Sequence, residues 1–193
     1  MQKRIFWMLV ILCCSAMGMQ AQEETIIKDR LPVKTGAWGG THHSLSQMAD
    51  ETAVVNGFLI STEYGRSLFL GYNFNWMGSE LRPDGLERSV NMNWHSFQLG
   101  YAFGAEKSIH PIVHFDVGRG RLKDAETGKD RFFLFQPTAG VEFNLYRWFH
   151  LSVEGGYRLT SGIGKNGLSD SDFSSPMGQL SLKFGWSWGE EEE

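Results

Sequence analysis

Between Leu180 and Trp188 every second residue is large and apolar. Leu180, Leu182, Phe184, Trp186 and Trp188 alternate with Ser181, Lys183, Gly185 and Ser187. Side chains of a β-strand point to opposite faces with period two, so this segment has one greasy face and one polar face. The pattern returns upstream, and that repetition is what limits the folds open to the chain.

We read eight strand-like segments. The first, about Val33 to Ser44, is glycine-rich with unclear parity. The second, about Ala53 to Tyr64, aligns Phe58, Ile60, Thr62 and Tyr64, while Val55 and Leu59 interrupt the alternation. The third, Arg66 to about Met77, sets Leu68, Leu70, Tyr72, Phe74 and Trp76 against Gly71, Asn73 and Asn75. The fourth, about Val90 to Phe103, sets Phe97, Leu99, Tyr101 and Phe103 against Ser96, Gln98, Gly100 and Ala102. The fifth, about Ile109 to Arg121, opposes Val113, Phe115 and Val117 to His114, Asp116 and Gly118. The sixth and seventh, about Arg131 to Tyr146 and Trp148 to Gly162, repeat the arrangement, and Leu180–Trp188 is the eighth. Short connections at Tyr64–Arg66, Gly104–Ser108 and Tyr146–Trp148 alternate with longer polar ones at Leu45–Thr52, Gly78–Ser89, Leu122–Asp130 and Ile163–Pro176. Tight turns at one end and long loops at the other describe up-and-down antiparallel strands.

The first 22 residues stand apart. Lys3 and Arg4, then an apolar run from Ile5 to Cys14, then Met19-Gln20-Ala21 have the form of a secretory signal peptide. Its apolar run is too short for a helical span. Both cysteines, Cys13 and Cys14, lie inside it, so the mature part is expected to hold no disulfide. Cleavage removes two cations and no acid, moving the formal charge from −4 to −6. That balance argues against a nucleic-acid partner. Residues 23–32 read as a short lead-in, 33–188 as the barrel and 189–193 as an acidic tail.

Alternation alone fits a soluble sandwich with the greasy face inward. Two features turn it outward. From the third segment to the eighth, the apolar face carries about fifteen aromatic rings. An eight-stranded barrel is only wide enough for its own side chains, and so many rings would overfill it. Gly71, Gly100, Gly118, Gly140, Gly156 and Gly185 all lie on the polar face. Within a strand, glycine marks close packing, which a narrow interior requires and a solvated face does not. The expectation is therefore an all-β, eight-stranded antiparallel up-and-down transmembrane β-barrel, with aromatics toward lipid and polar residues toward the lumen. Closure leaves no unpaired backbone in hydrocarbon. Pro111 and Pro137 each remove a ladder donor and are expected at bulges or strand ends. Tyr64, Tyr101, Phe103, Tyr146, Trp148 and Trp188 are expected at an interfacial girdle near the short turns, with Trp76 and Trp94 at the other end and Trp186 facing lipid.

The chain resembles the OmpA/OmpX-like small outer-membrane barrels over about Val33 to Trp188. The final alternating strand, Leu182, Phe184, Trp186 and Trp188, is similar to the C-terminal signal by which such proteins engage the barrel-assembly machinery, here followed by Gly189 and four glutamates. The resemblance implies a Gram-negative outer membrane, contact with its lipid and lipopolysaccharide, a monomer without cofactor, and a structural or surface-interaction role. A narrow channel remains an alternative.

Inward-facing His114, Asp116, Glu142, Glu154, Arg158 and Lys183 are expected to pair as a charged plug, because lone buried charges are costly. His150, Ser152 and Glu154, spaced two apart on one face, are similar to the site of PagL-type lipid A deacylases, where histidine activates a serine. Against an enzyme, that parity points the three residues into the lumen. His42, His43, His95 and His110 lack a metal-ligand spacing, and Asp170 and Asp172 lack a full calcium-loop pattern. No metal is expected.

Overall fold

The computed structural model describes residues 34–79, 81–82, 89–124, 128–164 and 167–188. The expected leader, lead-in and acidic tail lie outside them. Eight strands form a closed barrel in sequence order: β1 (Lys34–Met48), β2 (Glu51–Tyr64), β3 (Leu68–Met77), β4 (Val90–Ala102), β5 (Ile109–Asp124), β6 (Gly128–Tyr146), β7 (Phe149–Ser161) and β8 (Ser175–Ser187). All neighbours are antiparallel, and β8 returns to pair with β1 from Gly36↔Ser187 to Ser46↔Met177. One short helix, α1 (Asp170–Phe173), lies in the β7–β8 connection. The expected fold is the observed one.

Strand parity follows the alternation. Residues such as Phe97 and Trp186 are 72% and 66% exposed on the outer wall, while Asp116, Glu154 and Lys183 are buried inside. In β1 the inward set is His42, Ser44, Ser46 and Met48.

Three connections differ from expectation. The loop expected at Leu45–Thr52 is a two-residue hairpin. β1 and β2 pair through to Met48↔Glu51, and Ala49 and Asp50 both take positive φ, 48° and 64°. That is the twist a two-residue hairpin needs, here without the usual glycine. The loop expected at Leu122–Asp130 is mostly strand, since β5 and β6 stay paired to Asp124↔Gly128. The eighth strand begins at Ser175, five residues before the aromatic run.

Pro111 lies within β5 and Pro137 within β6, both on outward positions. The β6–β7 ladder lacks partners at Gln136 and Pro137 yet keeps its register on either side. Inward glycines sit where strands press together. A Cβ on Gly185 would come 2.1 Å from the Ala37 carbonyl oxygen, and one on Gly140 would come 2.1 Å from that of Val153.

Candidate functional site

Two surfaces carry this chain's chemistry: the outer wall and the filled interior. The interior is layered from the short-turn end upward. Lowest is Glu63, 2% exposed. Its carboxylate accepts from Thr35 Oγ1 at 2.9 Å, Trp38 Nε1 at 2.8 Å and Ser187 Oγ at 2.7 Å. Thr35 and Trp38 come from β1 and Ser187 from β8, so this carboxylate ties β2 across the seam where the barrel closes.

Above it Lys183 is ion-paired with Glu142, and its ammonium lies 4.7 Å from the centre of the Phe69 ring. Glu142 Oε1 is also 3.1 Å from His150 Nδ1 and 3.6 Å from His110 Nε2. The next layer centres on Glu154. Its Oε2 is 2.8 Å from His114 Nδ1 and accepts from Thr138 Oγ1 at 2.7 Å, while its Oε1 accepts from Ser152 Oγ at 2.9 Å. Asp116 accepts from Asn73 Nδ2 at 2.5 Å and Ser96 Oγ at 3.2 Å. These carboxylates are held by charged or hydrogen-bonding partners, which is the condition for burying an anion.

Arg158, 1% exposed, crosses the lumen. Its Nε donates to Gln136 Oε1 and one terminal nitrogen donates to Ser46 Oγ, both at 3.1 Å. The guanidinium lies 4.7 Å from the Trp94 ring centre. No carboxylate within the described residues forms an ion pair with it. An aromatic face stabilises a desolvated guanidinium, so Trp94 supplies part of what an acid would.

Trp94 is thus a correction to the expected girdle. It is 3% exposed and faces inward, on the same side of β4 as Ser96 and Gln98. Strand parity decides this: only odd-numbered positions of β4 reach lipid. Tyr101, Trp148, Trp186 and Trp188 are exposed on the outer wall, and Tyr64 and Trp76 are half-buried there. Tyr146 and Trp148 stack with ring centres 5.6 Å apart near the short-turn end.

A second feature escaped the sequence. At the long-loop end the interior is apolar: Met48, Val55, Met77, Met92, Leu122, Phe132, Leu134 and Phe173 form one buried cluster around Trp94. Helix α1 supplies Phe173 to it, and Asp172 caps that helix by accepting from the Ser169 N–H at 2.7 Å. Asp170 accepts from the Ile163 N–H at 2.7 Å. The expected polar lining is therefore interrupted at both ends, by this cluster and by a smaller one of Trp38, Phe69, Ala102 and Ile112 near the short turns, with the charged layers between and among them. The signal in the sequence was Val55, whose inward position breaks the alternation.

Of the three residues of the deacylase-like pattern, Ser152 and Glu154 meet and His150 stands apart. Ser152 is wholly buried and donates to Glu154, whereas His150 is engaged by Glu142 and lies tilted against Trp38 with ring centres 4.2 Å apart. No hydrogen bond joins His150 to Ser152 among the described residues, and Ser152 faces the interior.

No family model and no curated protein matches the sequence. Solved structures do match in fold. The N-terminal β-barrel domain of Pseudomonas aeruginosa OprF aligns with a TM-score of 0.59 at 13% identity, over 79% of this chain and 98% of that one. Neisserial surface protein A gives a TM-score of 0.58 at 12% identity, over 79% and 96%. Ail, the attachment invasion locus protein of Yersinia pestis, gives 0.50 at 14% identity, over 79% and 98%. The shared feature is the fold, that of the small eight-stranded outer-membrane barrels, and the resemblance read from the sequence holds at that level.

Proposed function

We propose that this chain is an integral outer-membrane protein whose work is done by its outer wall and long-loop end, not by passage of solutes through its interior. The observation that carries this is the distribution of exposed apolar residues. Phe58, Ile60, Phe97, Phe115, Phe133 and Phe184 ring the outside of the barrel, while the buried carboxylates and Lys183 turn inward. No water-soluble fold gains from that arrangement, whereas a bilayer does. Every strand has at least the ten residues of β3, enough to cross. The layered interior supports a closed lumen, since eight strands leave room only for their own side chains.

In this role the protein is a monomer lying among outer-membrane lipid, delivered by its amino-terminal leader and handed to the barrel-assembly machinery through Leu180–Trp188. Cell fractionation tests the placement. The expected result is recovery with outer membranes, resistance to alkaline extraction, and a gel mobility that changes on boiling. Recovery as a soluble periplasmic protein would overturn it. Planar-bilayer recording tests the closed interior: the expected record has no stable conductance steps, and reproducible ohmic steps would favour the channel alternative.

A further inference from the structure

The upper outer wall of β5 and β6 breaks the apolar pattern in one place. Arg119, Arg121 and Lys123 occupy successive outward positions of β5, and Lys129 and Arg131 do so on β6. All five are exposed. The register sets Arg121 directly opposite Arg131, and Lys123 directly opposite Lys129. Like charges facing each other across a ladder are destabilising. None of the five has an ion pair among the described residues, and no described outward position of β4, β5 or β6 is acidic. Among the described residues, nothing on this face offsets the repulsion.

Location narrows what would offset it from outside. Arg119 is paired with Phe133, and the outward residues next below on β5 and β4 are Val117, Phe115 and Phe97. The cations therefore begin where the apolar belt ends, at the end of the barrel opposite the chain's described termini. A concavity of about 520 Å³ opens at this boundary, bounded by Phe74, His95, Arg119, Arg121 and Arg131. A guanidinium fork matches two phosphate oxygens at once, and three arginines converge here. A ligand that fits carries phosphate at the membrane surface and acyl chains below it. Free phosphate uses only the upper half.

We propose that the β4–β6 face binds the phosphorylated headgroup of an acylated glycolipid of the lipid A class, with its acyl chains against Phe97, Phe115 and Phe133. This rests on the outer-membrane placement proposed above and assigns the residues that would make the lipid contact.

The test uses the full mature chain refolded into phosphatidylcholine vesicles. Insertion is scored first by the heat-dependent gel shift, and binding of bisphosphorylated lipid A and of its dephosphorylated form is then measured. Failure to insert overturns the barrel placement and this site with it. Insertion without preference for the phosphorylated lipid overturns the site alone. The expected result is a clear preference for the phosphorylated lipid. It weakens on the order of a hundredfold in an Arg119→Gln, Arg121→Gln, Arg131→Gln triple variant, from about a fivefold contribution per cation at a membrane surface. A triple variant at the other end, Lys34→Gln, Lys107→Gln, Arg147→Gln, carries the same charge loss and should bind as the parent does. Equal weakening in both would reduce the effect to net charge and overturn the site. Competition by inorganic phosphate as strong as by the lipid would assign a phosphate site without the acyl floor, and would overturn the proposal. The comparison of the two lipids on the parent protein needs no variant to fold.

Discussion

Single residues inside this barrel are coupled through buried charge. Lys183 and Glu142 are 5% and 1% exposed, so neither has water to fall back on. Replacing Lys183 by Met leaves Glu142 facing His110 and His150 without its lysine partner. The expected cost is about 3 kcal/mol, in the range for breaking one side of a buried pair. Adding Glu142→Gln should return much of that loss, because the double change removes the uncompensated charge. Urea unfolding in vesicles reads both; a double variant as weak as the sum of its parts would refute the coupling. The sequence placed these two residues on the inward face, since parity alone does that. It did not show Glu63, because Val55 and Leu59 obscured the pattern of β2. Nor did it show Trp94 beneath Arg158, since a tryptophan near a strand end fits an interfacial girdle by default, and only counting from Ser96 turns it inward.

At the scale of elements, the strands that read most clearly were those with aromatics outside and glycines or polar residues inside. The ends read poorly, for two reasons. Arg119-Gly120-Arg121-Leu122-Lys123 is still alternating, but its outward members are cations, so polarity made β5 look as if it had finished. The β1–β2 hairpin carries no glycine at its tip, and Ala49-Asp50 reads as part of a polar loop. Its left-handed backbone yields a prediction. Asp50 is exposed with φ of 64°, a region that aspartate tolerates and β-branched residues avoid. Asp50→Val should cost about 1 kcal/mol, and Asp50→Gly should be close to neutral. The same unfolding midpoints check this, and a harmless valine would contradict the turn geometry. Ala49 is anchored separately, its N–H donating to the Asp172 carbonyl at 2.6 Å, so the hairpin tip leans on the helix of the last connection.

Over the whole molecule, the interior sets charged layers beneath an apolar cap. Phe132 and Phe173 are nearly inaccessible members of that cap. Replacing both by Ala should loosen it at a cost of several kcal/mol, as large-to-small core changes do. In planar bilayers the variant is expected to show flickering current where the parent shows none; silence from a folded double variant would place the barrier lower, among the charged layers. The interior contacts also join strands that are not neighbours in the wall. Asn73 of β3 reaches Asp116 of β5, His114 of β5 reaches Glu154 of β7, and Arg158 of β7 reaches Ser46 of β1. These are spokes as well as charge pairs. An empty tube of eight strands would flatten under the lateral pressure of a bilayer by sliding its hydrogen-bond ladders. A spoked one resists becoming oval, so a surface held on its outside keeps its curvature as the surrounding membrane is squeezed.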